Sequence, residues 1–387
     1  NYDYSTQTVR GSLFFEYLTN SSTFKYHLRK YLNWHRVENG DEYLYNIIML
    51  ITLALPGWGH LQKSHIINTG PDRDKINHRL LSRISINSNL IHYVVSEDFT
   101  GLRKFPIYKG LNNQYLILDM PFLYDKLFKN VVFTFKDHLK ENNFTENFLS
   151  IKGKEFSEEI LFYNVILRCF NKHTYHLYSG KMTEPVCKGE LCDYYIRSNN
   201  RIALMEFKDV LLDTSSKNDG TTKVLFQKMD LKFSINQNKS PKGVRQLAKA
   251  IEKLSNGISF DTLDSEDTII YPIICYTDSS FGFDGINRRY DKMFQDFLTS
   301  TSVSKKFIIN PLVFINLDFF QHFEDFLYNE TIDFFGLIDR YYEHIKIPGH
   351  EIVPFEIFVG SYMNDMGKPT EISKLGKERL YEIMKGR

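Results

Sequence analysis

Glu190-Leu191-Cys192-Asp193-Tyr194-Tyr195-Ile196-Arg197-Ser198-Asn199-Asn200-Arg201-Ile202-Ala203-Leu204-Met205-Glu206-Phe207-Lys208 sets two apolar runs around a polar turn. Read as strands, Leu191 to Arg197 and Arg201 to Phe207 form a hairpin. Asp193, Glu206 and Lys208 interrupt these runs where a core wants hydrocarbon, and a buried charge is costly unless it is paired or bound to a metal. Side chains alternate along a strand, so Glu206 and Lys208 share a face with Leu204, while Met205 and Phe207 face the other way. A loop of two or four residues centred between Ser198 and Asn199 places Asp193 opposite Leu204 and diagonal to Glu206, ~7–8 Å away on one face. A three-residue loop puts Glu206 on the wrong face.

Two carboxylates on rigid strands suit Mg²⁺ or Mn²⁺, which retain waters and also accept a phosphate oxygen. A lysine two residues on can orient or help deprotonate an attacking water. Together these parts describe metal-assisted hydrolysis of a phosphodiester. The competing reading is an exposed hairpin whose charges form a surface ladder worth at most ~1 kcal/mol.

The pattern resembles the PD-(D/E)XK nuclease superfamily, with Asp193 matching the first acid and Glu206-Phe207-Lys208 the E-x-K element. The resemblance implies a restriction-endonuclease-like α/β (α+β) fold, a mixed sheet flanked by helices, over residues 151–318. In the family a preceding helix supplies another acid in a G-x-x-F-E context. Here Gly153-Lys154-Glu155-Phe156-Ser157-Glu158-Glu159 stands in that place, with Ser157 where the family has Glu. Glu158 or Glu159 must fill the role. Glu159, four residues before Tyr163 and three after Phe156, is favoured by α-helical spacing. A later helix, Gly243 to Leu254, carries Gln246 beside an apolar stripe of Val244, Leu247, Ile251 and Leu254. Four residues after Gln246 stands Ala250, where exonuclease-like members carry Tyr, so an endonuclease is the closer expectation. The resemblance thus implies Glu159, Asp193 and Glu206 as metal ligands, Lys208 at the water and Gln246 assisting. Proteins of this build are similar to prokaryotic restriction or anti-phage components.

From Lys217 to Lys253 nine basic residues meet three acids, a net +6 in a chain whose net charge is only +1. Lys242, Arg245 and Lys249 are candidate phosphate contacts beside the metal, with DNA a closer expectation than RNA. The polar stretch Ser216 to Thr222 is read as a segment that closes over substrate. Two other readings stay open: a catalytically silent module that binds nucleic acid or docks a partner, and a partner-gated RNase that spares DNA. No phosphate-binding P-loop, helix-turn-helix or zinc-finger spacing is present.

Residues 1–150 read as mainly helical. Leu13, Phe14, Tyr17 and Leu18, then Tyr26, Leu28, Tyr31 and Leu32, follow helical spacing. Tyr45 to Pro56 is a buried helix broken by Pro56-Gly57-Trp58-Gly59. A hairpin flanks Gly110-Leu111-Asn112-Asn113, and Phe122 to Leu139 then reads as one helix. Glu155 to Phe170 reads as a helix capped by Ser157. Thr268 to Tyr276 and Phe307 to Leu317 are buried strands. Residues 319–387 form a helical extension, and the helical flanks are the expected surface for a protein partner or homo-oligomer. Hydrophobic residues make up 42% of the 387, enough for a large core without disulfides. The 32 Phe and 24 Tyr are read chiefly as core packing. Four cysteines and the lack of an ~18-residue apolar run point to a reducing, cytoplasmic setting without a membrane span.

Overall fold

The computed structural model describes residues 4–54, 66–68, 78–86, 99–111, 114–187, 189–211, 221–235, 238, 240–257, 260–263, 267–303, 307–367 and 372–385. The chain forms two compact units, one of Asn1–Lys152 with Lys374–Arg387 and one of Gly153–Ser373. The division after Lys152 lies beside the boundary read at residue 150. The expected separate extension from 319 is not found, because residues 319–373 complete the second unit. Their polar contacts with the sheet explain why. Glu356 accepts from Asn316 N at 2.6 Å and from the Tyr276 hydroxyl at 3.1 Å, while Asp339 accepts from the Tyr271 hydroxyl at 2.8 Å.

The first unit is helical, as expected, around Tyr4–Asn20, Lys25–His35, Gly40–Ala54 and Lys129–Glu141. It also holds a four-stranded sheet of β1 (Ile66–Asn68), β2 (Ser85–Ile86), β3 (Ile107–Lys109) and β4 (Gln114–Ile117), in the order β1-β4-β3-β2. β3 and β4 are the anticipated hairpin. The two- and three-residue strands beside them are too short to show alternation in sequence. Phe122 to Leu139, expected as one helix, divides into Met120–Asp125 and Lys129–Glu141. The break at Pro56 to Gly59 and the turn at Asn112-Asn113 lie outside the described residues. Closing helix Lys374–Lys385 joins this unit, with Arg379 paired to Glu16 at 3.3 Å.

The second unit is built on a mixed sheet of β5 (His176–Ser179), β6 (Tyr194–Ser198), β7 (Arg201–Lys208), β8 (Ile269–Tyr276), β9 (Ile308–Ile309) and β10 (Val313–Asn316). β5, β6 and β7 form an antiparallel meander. β8 runs parallel to β7, and β9 and β10 run parallel to β8 along its far edge. The expected single strand Phe307 to Leu317 is interrupted at Asn310-Pro311, where proline cannot donate to a ladder.

One face of the sheet packs on Val244–Ser255 and Ile286–Thr299 through Tyr195, Leu204, Leu247, Ile251, Ile274, Tyr290 and Phe314. Phe226 and Phe233 pack inward, against Phe283 and Phe281. On the other face Phe207 stacks on Phe162 at 4.5 Å and 9°, and Tyr194 meets Phe162 and Tyr163 edge-on. The run expected as one α-helix from Glu155 is instead a π-helix over Lys152–Phe162 followed by an α-helix over Tyr163–Phe170. Ser157 lies inside the π-helix, not at a cap. Its hydroxyl donates to Asp209 Oδ2 at 2.7 Å, and Thr277 donates to Oδ1 of the same carboxylate at 2.7 Å.

Candidate metal centre at the end of the central hairpin

The hairpin turn has two residues, Asn199 and Asn200, because Ser198 pairs with Arg201. Asn199 takes φ +53°, a left-handed conformation that Asn tolerates in such turns. Tyr194 pairs with Met205. One step further along the same register, Asp193 stands directly opposite Glu206, not diagonal to it across from Leu204. The expected centre of the loop was two positions off in the sum of paired residue numbers, and the face is unchanged because side chains alternate with period two.

The three charges meet in the interior. Lys208 Nζ donates to Glu206 Oε2 at 2.8 Å and lies 3.9 Å from Asp193 Oδ2, with side-chain exposures of 12%, 2% and 10% for Lys208, Glu206 and Asp193. The Phe207 backbone N–H donates to Asp193 Oδ2. The Asp193 carbonyl accepts from Gly180 N at 2.9 Å, which fixes the start of the strand. This is no surface ladder.

Further carboxylates close the group. One oxygen each from Glu158, Glu190 and Asp193 lies within 4.8 Å of the others. Glu190, three residues before Asp193, escaped the sequence reading because it sits in a loop without periodicity. Its carboxylate stands over Gly180, where a Cβ would collide with it. Glu158 accepts from the Tyr163 hydroxyl at 2.8 Å. Glu159, favoured from sequence, is not in the group; it pairs with Lys181 at 2.7 Å. The π-helix explains the exchange. Its i→i+5 pattern brings Glu158, five residues before Tyr163, onto the face that α-helical spacing would give to Glu159.

Electrostatics follow from crowding, with Asp193 and Glu206 buried, Glu158 half-buried and Glu190 at the exposed edge. Burial and then Asp193 hold the Glu206 carboxyl above the ordinary carboxylate range. Burial raises Asp193 too, against the opposing pull of Lys208 and the Phe207 N–H. Glu158 is raised by burial and by Asp193, and Glu190 is pushed up to about 7 by burial and then by Asp193 and Glu158. Burial pulls the Lys208 ammonium down, but Glu206 and Asp193 outweigh it and hold it above its ordinary value.

Lys242 lies near enough to favour ionised Asp193. It is placed by Gly243, whose φ of +40° and close approach to Phe233 O leave no room for a side chain. Gln246, expected to assist at the site, turns its amide oxygen back to accept from Gly243 N at 2.7 Å and so closes the helix start. Arg245 lies over the Phe297 ring at 4.0 Å, so it packs two helices together rather than standing ready for phosphate. Lys249 is exposed. Lys217, Lys239 and most of the segment read as a closing loop lie outside the described residues.

The donor set suits a hard divalent cation. Glu158, Glu190, Asp193 and Glu206 against Lys208 and Lys242 leave a formal −2. The second oxygens of Asp193 and Glu206 accept nothing from the described residues. Oxygen ligands of this kind select Mg²⁺, Mn²⁺ or Ca²⁺ over thiolate-preferring metals. The four cysteines are free thiols, three of them buried, and no described helix is long and apolar enough to cross a membrane. Compared with protein-family models, with curated proteins and with solved structures, the chain has no match.

Proposed function

We propose that this chain is a divalent-metal-dependent nuclease that hydrolyses DNA phosphodiester bonds, of the restriction-endonuclease-like build, acting as an endonuclease in restriction or anti-phage defence. The observation that carries the reading is the meeting of Asp193, Glu206 and Lys208 at the carboxyl end of β7, with Glu158 and Glu190 beside them. The order of helix, antiparallel meander, helix and parallel strand supports it, since the resemblance expects a helix, strands, a helix and a further strand around this motif.

Mg²⁺ or Mn²⁺, when bound, supplies Lewis-acid stabilisation of the phosphate charge and a more acidic water. Asp193, Glu158 and Glu190 are the residues that would hold it, with Glu206 alongside. The hydrogen bond from Phe207 N fixes the Asp193 carboxylate, and Tyr163 fixes that of Glu158. Lys208 holds its proton, positions the water through one N–H and offsets negative charge as the phosphorus is attacked in line. Lys242 and exposed Lys249 offer phosphate contacts that carry no sequence information.

Plasmid and linear DNA incubated with Mg²⁺, Mn²⁺ or EDTA test the reading. Metal-dependent cutting that disappears in both Asp193→Ala and Lys208→Ala supports it. Intact DNA that still shifts in a gel points to the silent binding module. Intact DNA with degraded total RNA points to the RNase.

A further inference from the structure

The first unit holds a cavity of about 240 Å³ far along the chain from the carboxylate group. Three walls differ in chemistry. Helix Lys25–His35 contributes Tyr31, Trp34 and His35, and helix Lys129–Glu141 contributes Thr134, Asp137, His138 and Glu141. Arg83, Lys104 and Lys126 bring three cations from separate short elements.

The cations and rings are arranged from rim to floor. Arg83, Lys104 and Trp34 are exposed, with the Arg83 guanidinium 4.6 Å from the indole centroid. Lys126 is buried, a costly position for an ammonium. It donates to Lys104 O and to Asn130 Oδ1, each at 2.7 Å, and the neighbouring Asp125 carboxylate favours its charged form without offsetting burial. Burial and then Lys104 bring it down to about 7. His35 is buried at the aromatic wall with neither ring nitrogen hydrogen-bonded. A fold that needed only hydrocarbon here would gain by replacing both.

We propose that this cavity is a binding site for a free nucleoside monophosphate. The base takes the place of the Arg83 guanidinium on the indole of Trp34, Arg83 turns to the phosphate beside Lys104 and Lys126, and the ribose hydroxyls donate to Asp137 or Glu141. Each wall matches one part of that ligand. A nucleoside lacks the anion, phosphate alone lacks the ring, and a purely anionic ligand would be repelled by the two acids. The volume lies below the ~300–1,000 Å³ of drug-sized pockets, so it has no room for a dinucleotide and holds a single nucleotide only with part of it at the open rim. The site is independent of the nuclease reading, since its residues all belong to the other unit.

Calorimetric titration of the full chain tests this, in EDTA so that no metal bridges nucleotides to the carboxylates. The probes are AMP, GMP, CMP and UMP, the matching nucleosides, inorganic phosphate and a 5′-phosphorylated oligonucleotide. At least one monophosphate binds, and its nucleoside and phosphate bind roughly tenfold or more weakly, the loss expected of one charge-assisted contact. Arg83→Ala and Trp34→Ala, each compared at an unchanged melting temperature, weaken binding by a similar factor, whereas Asp193→Ala does not. No binding of any monophosphate at about 1 mM overturns the proposal. So does binding that survives both rim variants but fails in Asp193→Ala, or binding of the oligonucleotide alone.

Discussion

Lys208 is the residue on which two effects converge. It neutralises Glu206 and Asp193 in the resting protein, and its ammonium is held charged by them. Removing it therefore does two separable things. Lys208→Ala should lower the single-turnover cutting rate by roughly 10²–10³-fold, the range for losing one preorganised charge-stabilising donor, with DNA affinity little changed. It should also lower the melting temperature, because buried Glu206 and Asp193 are left uncompensated. Glu206→Gln should separate stability from activity. Since burial and Asp193 raise the Glu206 carboxyl, a neutral amide removes a cost at neutral pH. The variant should melt higher than the parent in EDTA and cut no DNA. A lower melting temperature would show that the bond to Lys208 outweighs the crowding.

The π-helix decides which acid joins the group. Glu158→Ala should abolish metal-dependent cutting, whereas Glu159→Ala should cut normally, because the Glu159–Lys181 pair is partly exposed and worth ~0–1 kcal/mol. Tyr163→Phe removes only the hydroxyl that orients Glu158, and should weaken Mn²⁺ binding in calorimetry by roughly 10–100-fold, as loss of an outer partner does. The reverse ranking of the two glutamates would mean that the helix pitch does not set the site. The meander around Asn199-Asn200 was legible because alternation, a polar turn and misplaced charges agree over nineteen consecutive residues. Glu158 was not separable from Glu159, because a sequence window assumes 3.6 residues per turn and nothing local announces i→i+5 bonding. Glu190 was invisible for a different reason: its position is set by the Gly180–Asp193 backbone contact, which joins residues thirteen apart. Gln246 and Arg245 were misjudged because a polar residue beside an apolar stripe can as readily cap its own helix or stack on a neighbouring ring.

Across the second unit, raised carboxyls bind protons that the unfolded chain has already lost, so stability is highest at low pH and declines as pH rises through the window between the two values. For Glu190 and for Glu356, which burial raises, that window runs from 4.5 to about 7. In EDTA the melting temperature should therefore fall across it. Saturating Mg²⁺ should remove the part due to Glu158, Glu190, Asp193 and Glu206, and Glu356→Gln should remove a separate, metal-independent part. A melting temperature that rises with pH across this window in EDTA would refute the assignment. Residues 319–373 looked like an appendage because helical periodicity says nothing about what a helix covers; Glu356 and Asp339, bonded to Tyr276, Asn316 and Tyr271, make them part of this unit. The proposal as a whole rests on a cation among these carboxylates, and anomalous diffraction from crystals soaked in Mn²⁺ reads that directly. The account predicts a single strong peak within bonding distance of Asp193, Glu158 and Glu190, absent from Asp193→Ala crystals. A fully soaked crystal with no peak there, and with Lys208 still lodged between Glu206 and Asp193, would contradict it.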